Sequence, residues 1–509
     1  METSESMVII GGGLAGLTAA VHLAERGLKP VVLEADPDFP GGRAAGGKII
    51  TVDGWPFRQE HGVHGIWSPY RNLQAMLSRH AIRPAFVPAQ EETWIYKRNG
   101  RVKRANVGSA LRRSWIPAPL HYLALFIRPR FLGILGLRDW LSLPLVWYSL
   151  ILAVGIDPLA ENQPLDGLYL SDFMRGWSPA IRSFCIGLAR NGLSAQPEEV
   201  PLSGFIAFLR YYTLLRRDAW GFSYLPGDGG TSLIDPLAAK VAALGGEIRL
   251  ATAVTRLSRA GEGWLIHTPD RTFTASQVIL AVDPDNARKL WQASPDLSGD
   301  AADYYWPVGR ETAVVRLWFN RAPHDKSGAE GGMFSGEFTI DNYFWLHRLQ
   351  DQYRTWHKAT GGSALEVHLY GPPEVLAQSD PVLLARAIAD VQAAFPEMRG
   401  SLIHQVVQRN TVNHTLFGVG PNGRHLGIAT PWPNLFCCGD WVYHPSPAFF
   451  LERAVVTGIE AANRVLENQE LPPWPTVAYP PPERFAAFLQ RRMIGGRGWL
   501  KRRTGKRNA

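Results

Sequence analysis

Three observations predict an α/β fold for this 509-residue chain. Val8-Ile9-Ile10 is a short apolar run that stops at a glycine-rich loop, and Leu14, Leu17, Ala20, Val21 and Ala24 then recur at helical spacing. A second short run, Val31-Val32-Leu33, follows and ends on Glu34. A third, Asn434 to Cys438, lies some four hundred residues further on and precedes another helical stretch, Phe449 to Leu466. Buried strands alternating with helices build a parallel sheet, and the wide separation makes that sheet discontinuous in sequence. Residues 1–70, 225–290 and 405–470 are assigned to it, with Val278 to Pro284 as a further strand. Residues 71–224 and 291–404 are assigned to a second, mixed α+β domain built on an antiparallel sheet. Thr312 to Phe319 and Ala364 to Tyr370 read as its strands, and Asp380 to Ala394 as a helix. Leu471 to Pro482 reads as an extended proline-rich linker, and residues 471–509 as a whole as linker and basic tail.

The first loop carries chemistry. Gly11, Gly13 and Gly16 form G-x-G-x-x-G, with Leu14 and Ala15 between the last two. Glycine at the first two positions permits a tight turn and close approach of a pyrophosphate. The third lets helix pack on strand, and the helix start offers N–H groups to phosphate oxygens. Glu34, followed by Ala35, stands 23 residues after Gly11. A carboxylate there suits an adenosine ribose with free hydroxyls and repels a 2′-phosphate. This Rossmann-like unit does not by itself separate NAD from FAD. Gly41-Gly42-Arg43 adds two glycines that bring backbone near a ligand and an arginine that can meet phosphate charge; a surface turn with a solvated arginine is the alternative reading.

The second stretch narrows the cofactor. The run Leu435 to Cys438 ends at Gly439-Asp440, where a short acceptor could hold a polyol hydroxyl. Pro445 and Pro447 break the chain, and Ala448 and Phe449 begin the next helix. A helix start aimed at a flavin ring would stabilise the negative charge that grows at its N1–C2=O edge on reduction. An ordinary strand–loop–helix unit is the competing reading.

With both stretches in hand, the chain resembles the FAD-dependent amine oxidase and phytoene desaturase superfamily. The resemblance implies that Glu34 holds the adenosine ribose, that Arg43 lies near the flavin or its phosphates, and that Asp440 binds the ribityl chain. Gly245 to Leu250 with Ala253 to Leu257 resembles the segment whose valine backbone meets adenine, which points to Val254. FAD is therefore the expected cofactor.

Composition narrows the setting. The only cysteines are Cys185, Cys437 and Cys438, a set that suits a reducing compartment. No cysteine–histidine cluster has metal-site spacing, so no metal is expected, and the polar start before Val8 carries no signal-peptide pattern. The net charge of +8 is concentrated: residues 491–509 hold eight arginines and lysines and no acid, which leaves the rest formally neutral. Met493, Ile494, Trp499 and Leu500 are interleaved with them, a pattern that suits an anionic membrane surface, with a disordered solubilising tail as the alternative. Nucleic-acid binding is not expected. Trp115 to Ile156 is nearly all apolar, and its longest uncharged run, Trp140 to Ile156, is 17 residues and contains Pro144. That is at the short limit for a membrane span. A monotopic, membrane-dipping face is favoured over a span or a buried helix pair, placing the protein peripherally on the cytoplasmic face of a membrane.

Three passages refine the resemblance: Glu60 to Gly65 followed by Tyr70 to Leu73, Ile116 to Leu120, and Phe450 to Gly458. They are similar to plant- and cyanobacterial-type phytoene and ζ-carotene desaturases, and closer still to carotene desaturase/methyltransferases of the isorenieratene synthase type. The implied reaction passes hydride from an allylic carbon of a hydrophobic polyene, a carotene, to flavin N5. A proton is then lost, with a methyl shift on the end ring in the isorenieratene-type case. Glu60, His61 and His64 are the candidates for steering the cation or accepting the proton; packed residues beside the flavin are the alternative. A membrane quinone or oxygen is expected to reoxidise the flavin. Competing readings are a phytoene/ζ-carotene-type desaturase or carotene isomerase, an oxidase of an amine or squalene-type isoprenoid, and a non-catalytic lipid-binding member of the same fold.

Overall fold

The computed structural model describes residues 2–159, 165–298, 304–324, 328–415 and 424–505. Two seven-stranded sheets dominate these residues. The first carries Glu247–Arg249, Val31–Leu33, Glu2–Ile10 and Thr272–Leu280 side by side, all parallel. Leu435–Cys437 pairs in parallel with the far end of Thr272–Leu280, while the near end carries the antiparallel strands Gly263–His267 and Arg256–Ala260. Val8, Ile9 and Ile10 are all buried because both faces of this sheet are covered. The helix Leu14–Ala24 is buried on every side. It lies between the sheet and the long helix Phe450–Asn468, and the two helices close up where a Cβ on Gly458 would stand 2.6 Å from Ala15 O.

The second sheet runs Leu402–Thr415, Gly309–Phe319, Ser363–Leu369, Asn342–Trp345, Gly331–Gly336, Glu92–Arg98, Arg101–Asn106. It is antiparallel except for one pair, Gly331–Gly336 with Glu92–Arg98, which is parallel. Alternate residues divide its faces. Val315, Leu317, Leu365 and Val367 pack with Leu383, Ala387 and Val391 of the helix Asp380–Ala394. Trp94, Arg316, Glu366 and His368 stand on the other face, which becomes one wall of the site. Leu402–Thr415 belongs to this sheet, bonded to Gly309–Phe319. The start of the 405–470 segment expected in the parallel sheet therefore lies in the second sheet; an edge strand of mixed polar and apolar residues carries no local sign of which sheet it joins.

Leu471 to Pro482 has neither helix nor strand but is tied to the body. Trp474 donates its backbone N–H to Asn463 Oδ1 at 2.7 Å and its indole N–H to His22 O at 2.9 Å, and Arg26 and Arg79 cover its ring at 3.7 and 4.3 Å. The helix Arg484–Gly505 follows; Lys506 and Arg507 of the predicted basic tail lie outside the described residues. The apolar stretch folds around the helix Leu137–Gly155, whose length and composition would suffice to cross a membrane. Its apolar residues face two ways. Leu143, Val146, Trp147 and Leu150 point inward to a cavity, while Leu137, Trp140, Leu141, Leu145, Tyr148 and Ile151 form an exposed stripe at helical spacing.

Candidate active site

Register brings the predicted cofactor residues to one edge. Ile10 stands opposite Leu33 and Leu280, and Leu280 opposite Cys437. The residues after these strands, Gly11, Glu34 and Gly439-Asp440, therefore emerge together at the carboxyl ends, where open α/β sheets bind ligands. Gly11 has φ +105°, and a Cβ there would lie 2.6 Å from Ala281 O. A Cβ on Gly16 would lie 2.0 Å from Gly11 O. Around Gly13, by contrast, nothing lies within 4 Å of that position, so the loop is closed behind and open in front. Gly13 caps the helix without a side chain, which leaves the Leu14, Ala15 and Gly16 end clear for phosphate oxygens. The second glycine pair is stitched to the first: Gly41 N–H donates to Gly12 O at 2.9 Å.

Glu34 Oε2 accepts from Gly12 N–H at 2.7 Å and Oε1 from Asp36 N–H at 2.9 Å. Each oxygen retains a lone pair for a ribose hydroxyl. Ala35 is exposed beside it. Val254 sits in the loop before Arg256–Ala260, half-buried at the same edge, where Thr252 N–H reaches Glu34 O at 2.8 Å. Arg43 and Asp440, 397 residues apart, meet in an ion pair of 2.7 Å. Ala448 and Phe449 are buried, but their N–H groups are already used, by Ser446 Oγ at 3.2 Å and Tyr212 Oη at 3.0 Å. Arg453, buried beneath the loop, holds it through Ala448 O and Ser446 O at 2.8 and 2.9 Å. An open glycine loop, a ribose-binding carboxylate and an arginine–aspartate pair at one edge fit FAD.

The three catalytic candidates are set differently. Glu60 is buried, accepts from Gly229 N–H and Gln350 Nε2, and lies 3.7 Å from Arg316. Burial raises its pKa to about 8 although Arg316 pulls against it. His61 Nδ1 lies 3.2 Å from Ala45 O, and burial lowers its pKa. Burial lowers that of His64 to about 4, and its buried Nε2 has no hydrogen-bond partner among the described residues. Glu60 is thus bonded through both carboxyl oxygens, and His64 has a buried ring nitrogen with no hydrogen-bond partner among the described residues.

The sequence reading missed the residues that position them. Glu366 accepts from Arg316 Nε, pairs with His368 Nε2 and accepts from Val63 N–H, each at 2.7 Å. His368 Nδ1 continues to Tyr370 Oη at 2.7 Å. Burial opposes the Glu366 charge, but Arg316 and His368 overcome it and hold its pKa at about 2. Arg316 serves Glu366 by direct contact and Glu60 only across 3.7 Å, which is why one carboxyl is pulled down and the other stays high. The packing is close: a Cβ on Gly62 would lie 2.7 Å from the His368 ring. A polar residue at every second place of a predicted strand (Glu366, His368, Tyr370) was the available signal.

Beyond this wall lies a narrow cavity lined by Trp94, Phe131, Trp147, Trp177, Phe184 and Phe205 among others, with no polar surface. Phe205 belongs to the helix Leu202–Leu209, which continues into the π-helical turn Arg210–Leu214. Tyr212 of that turn is the residue bonded to Phe449, so one helix joins the cavity to the cofactor edge. Among the described residues no group of three His, Cys, Asp or Glu is placed to hold a metal ion.

Comparison with known proteins agrees with this geometry. Residues 157–466 match the model of the flavin containing amine oxidoreductase family, and residues 9–80 that of the NAD(P)-binding Rossmann-like domain. The chain is 27% identical to the carotenoid phi-ring synthase of Streptomyces griseus over 91% of its own length and 88% of that protein. It is 23% identical to the 15-cis-phytoene desaturase of Capsicum annuum over 91% of its length and 78% of that protein. Among solved structures, cyclohexylamine oxidase from Brevibacterium oxydans shares the fold, with a TM-score of 0.67 at 17% identity over 92% of this chain and 99% of that one. The chain belongs to the flavin containing amine oxidoreductase family, in its carotenoid desaturase branch, and is an FAD-dependent oxidoreductase.

Proposed function

We propose that the protein desaturates a carotene at a membrane surface, with aromatisation of an end ring and methyl migration as the finer outcome. The observation that carries this reading is the cavity behind the Leu137–Gly155 helix, whose lining offers no polar surface. A lining of aliphatic and aromatic side chains with no exposed polar atom suits a polyene, which needs no hydrogen-bond partner there. The names of the relatives point to the same substrate class. The free volume is only about 80 Å³, so a long polyene enters by displacing this helix, whose outer stripe is exposed.

The bound flavin supplies the hydride acceptor. The chain supplies position and dryness. Glu34, the Gly11–Gly16 loop, Arg43 and Asp440 hold the cofactor at the sheet edge. The cavity excludes water from a substrate that has lost hydride and carries a delocalised positive charge. Loss of a proton from a neighbouring carbon then completes the double bond. His64 is the proposed acceptor: burial keeps its imidazole neutral at pH 7, and Nε2 is uncommitted. Glu366 and His368 hold the adjoining Val63 backbone. A quinone or oxygen is proposed to reoxidise the flavin, and the exposed stripe of the helix to seat the protein on the cytoplasmic face of the membrane.

Expression in hosts accumulating lycopene or β-carotene, followed by pigment chromatography, tests the reading. A new carotenoid of higher unsaturation or with an aromatic end ring is expected. Unchanged pigments across several carotenes from a flavin-loaded protein would sink it.

A further inference from the structure

A second cavity, of about 820 Å³, lies apart from the site. Three segments distant in sequence build it: Arg112 to Pro117, Arg216 to Asp218 and Pro481 to Phe485. Five arginines line it (Arg112, Arg113, Arg216, Arg217 and Arg484) against two acids, Asp218 and Glu483. The acids are committed. Glu483 pairs with Arg217 at 3.0 Å and accepts from Ala118 N–H at 3.2 Å, so it stitches the segments together. Asp218 pairs with Arg216. Arg112 is turned to the buried Glu92 at 2.8 Å. Arg113 and Arg484 are exposed and have no carboxylate within ion-pair distance among the described residues. Five guanidinium groups around one cavity, two of them without a carboxylate partner among the described residues, suit an anion with several acceptor oxygens.

The surroundings indicate where that anion comes from. Trp115, two residues beyond Arg113, is 81% exposed, and Phe485 and Phe488 are exposed on the other rim. The helix that begins at Arg484 runs to the end of Leu137–Gly155, where Met493 covers Gly155. The arginine cavity and the exposed apolar stripe are therefore joined by one helix. Exposed aromatic side chains beside unpaired guanidinium groups suit the interfacial layer of a bilayer.

We propose that this cavity binds the phosphodiester headgroup of an anionic lipid and so fixes the orientation in which the apolar helix meets the membrane. The proposal rests on the membrane-surface reading above and adds to it a defined lipid site.

The test compares flotation of the FAD-loaded protein with vesicles of phosphatidylcholine alone and of phosphatidylcholine with phosphatidylglycerol. The variants are Arg113→Gln/Arg484→Gln and, as a charge-matched control outside the cavity, Arg491→Gln/Arg492→Gln. Wild-type protein is expected to favour the anionic vesicles, and the cavity variant to lose that preference by roughly tenfold, more than the control, with flavin content and melting temperature unchanged. Equal losses in both variants would reduce the effect to general charge and overturn the site. Inorganic phosphate titrated by calorimetry separates the sources: binding of phosphate that the cavity variant abolishes, with its vesicle preference intact, overturns the lipid in favour of a soluble anion. Wild-type binding to both vesicles alike refutes the headgroup site while leaving the membrane reading standing, whereas binding to neither refutes both.

Discussion

At the carboxyl edge of the parallel sheet the site is made of backbone, and on the facing wall of the second sheet it is made of buried charge. The edge has few side chains: glycines that let main chain approach a ligand, one carboxylate fixed by two N–H groups, and one arginine–aspartate pair. The wall has Arg316, Glu366 and His368, all nearly inaccessible and linked through Glu366, with Arg58 O and Tyr353 Oη as further partners of Arg316 and Tyr370 Oη of His368. The difference teaches that the two halves fail differently. Filling space breaks the edge, whereas removing a partner breaks the wall. The largest expected effect follows from the first. Gly16→Val places a side chain 2.0 Å from Gly11 O, which the loop can relieve only by moving into the cofactor's space. The purified variant should lack visible flavin absorbance, and one that remains fully yellow would break this account of the edge.

The same contrast decides what a single sequence discloses. Spacing within some thirty residues specifies the edge, since Gly11, Gly13, Gly16 and Glu34 each have a local reason for their identity. Asp440 was legible because it follows a strand of the same type. The wall is set by register between strands 50 residues apart, Arg316 opposite Glu366, and nothing local marks which polar residue in a strand will find a partner. The helix Leu137–Gly155 was ambiguous for a third reason: it is apolar on both faces, one toward a cavity and one toward solvent, so periodicity alone could not place it.

Arg316→Met is the next largest effect. It strands Glu366 in a site that is 0% exposed, and removing one partner of a buried pair costs about 3–5 kcal/mol. Thermal unfolding should show a marked loss, and the double change Arg316→Met/Glu366→Gln should recover much of it. A double variant no better than the single would mean that the wall is held by packing rather than by charge pairing.

Glu60 refines the comparison within the wall. Burial raises its folded pKa to about 8 from 4.5. Between those values the folded protein holds a proton that the unfolded chain has released, so this group's contribution is complete below 4.5 and declines as pH rises towards 8. Glu60→Gln should flatten that decline in unfolding free energy, by an amount on the order of 1 kcal/mol or more at the upper end. Glu366 has the opposite sign, its contribution being lost as pH falls from 4.5 towards about 2. An unaltered alkaline slope in the Gln variant would show that Arg316 keeps Glu60 ionised after all.

The smallest effect on stability is expected where neither backbone closeness nor buried charge is involved. Leu137 and Leu141 are 75% and 71% exposed on the outer stripe, so Leu137→Ser/Leu141→Ser should change unfolding free energy by no more than about 0.5 kcal/mol per site. Flavin content should not change. Binding to neutral phosphatidylcholine vesicles should nevertheless weaken by roughly tenfold or more, because each leucine that enters the acyl region contributes about 1.5–3 kcal/mol when fully buried. A variant that keeps its vesicle binding would assign the stripe to some other partner. A variant that unfolds would show the stripe to be part of the core, and the helix would then resemble the wall more than a surface.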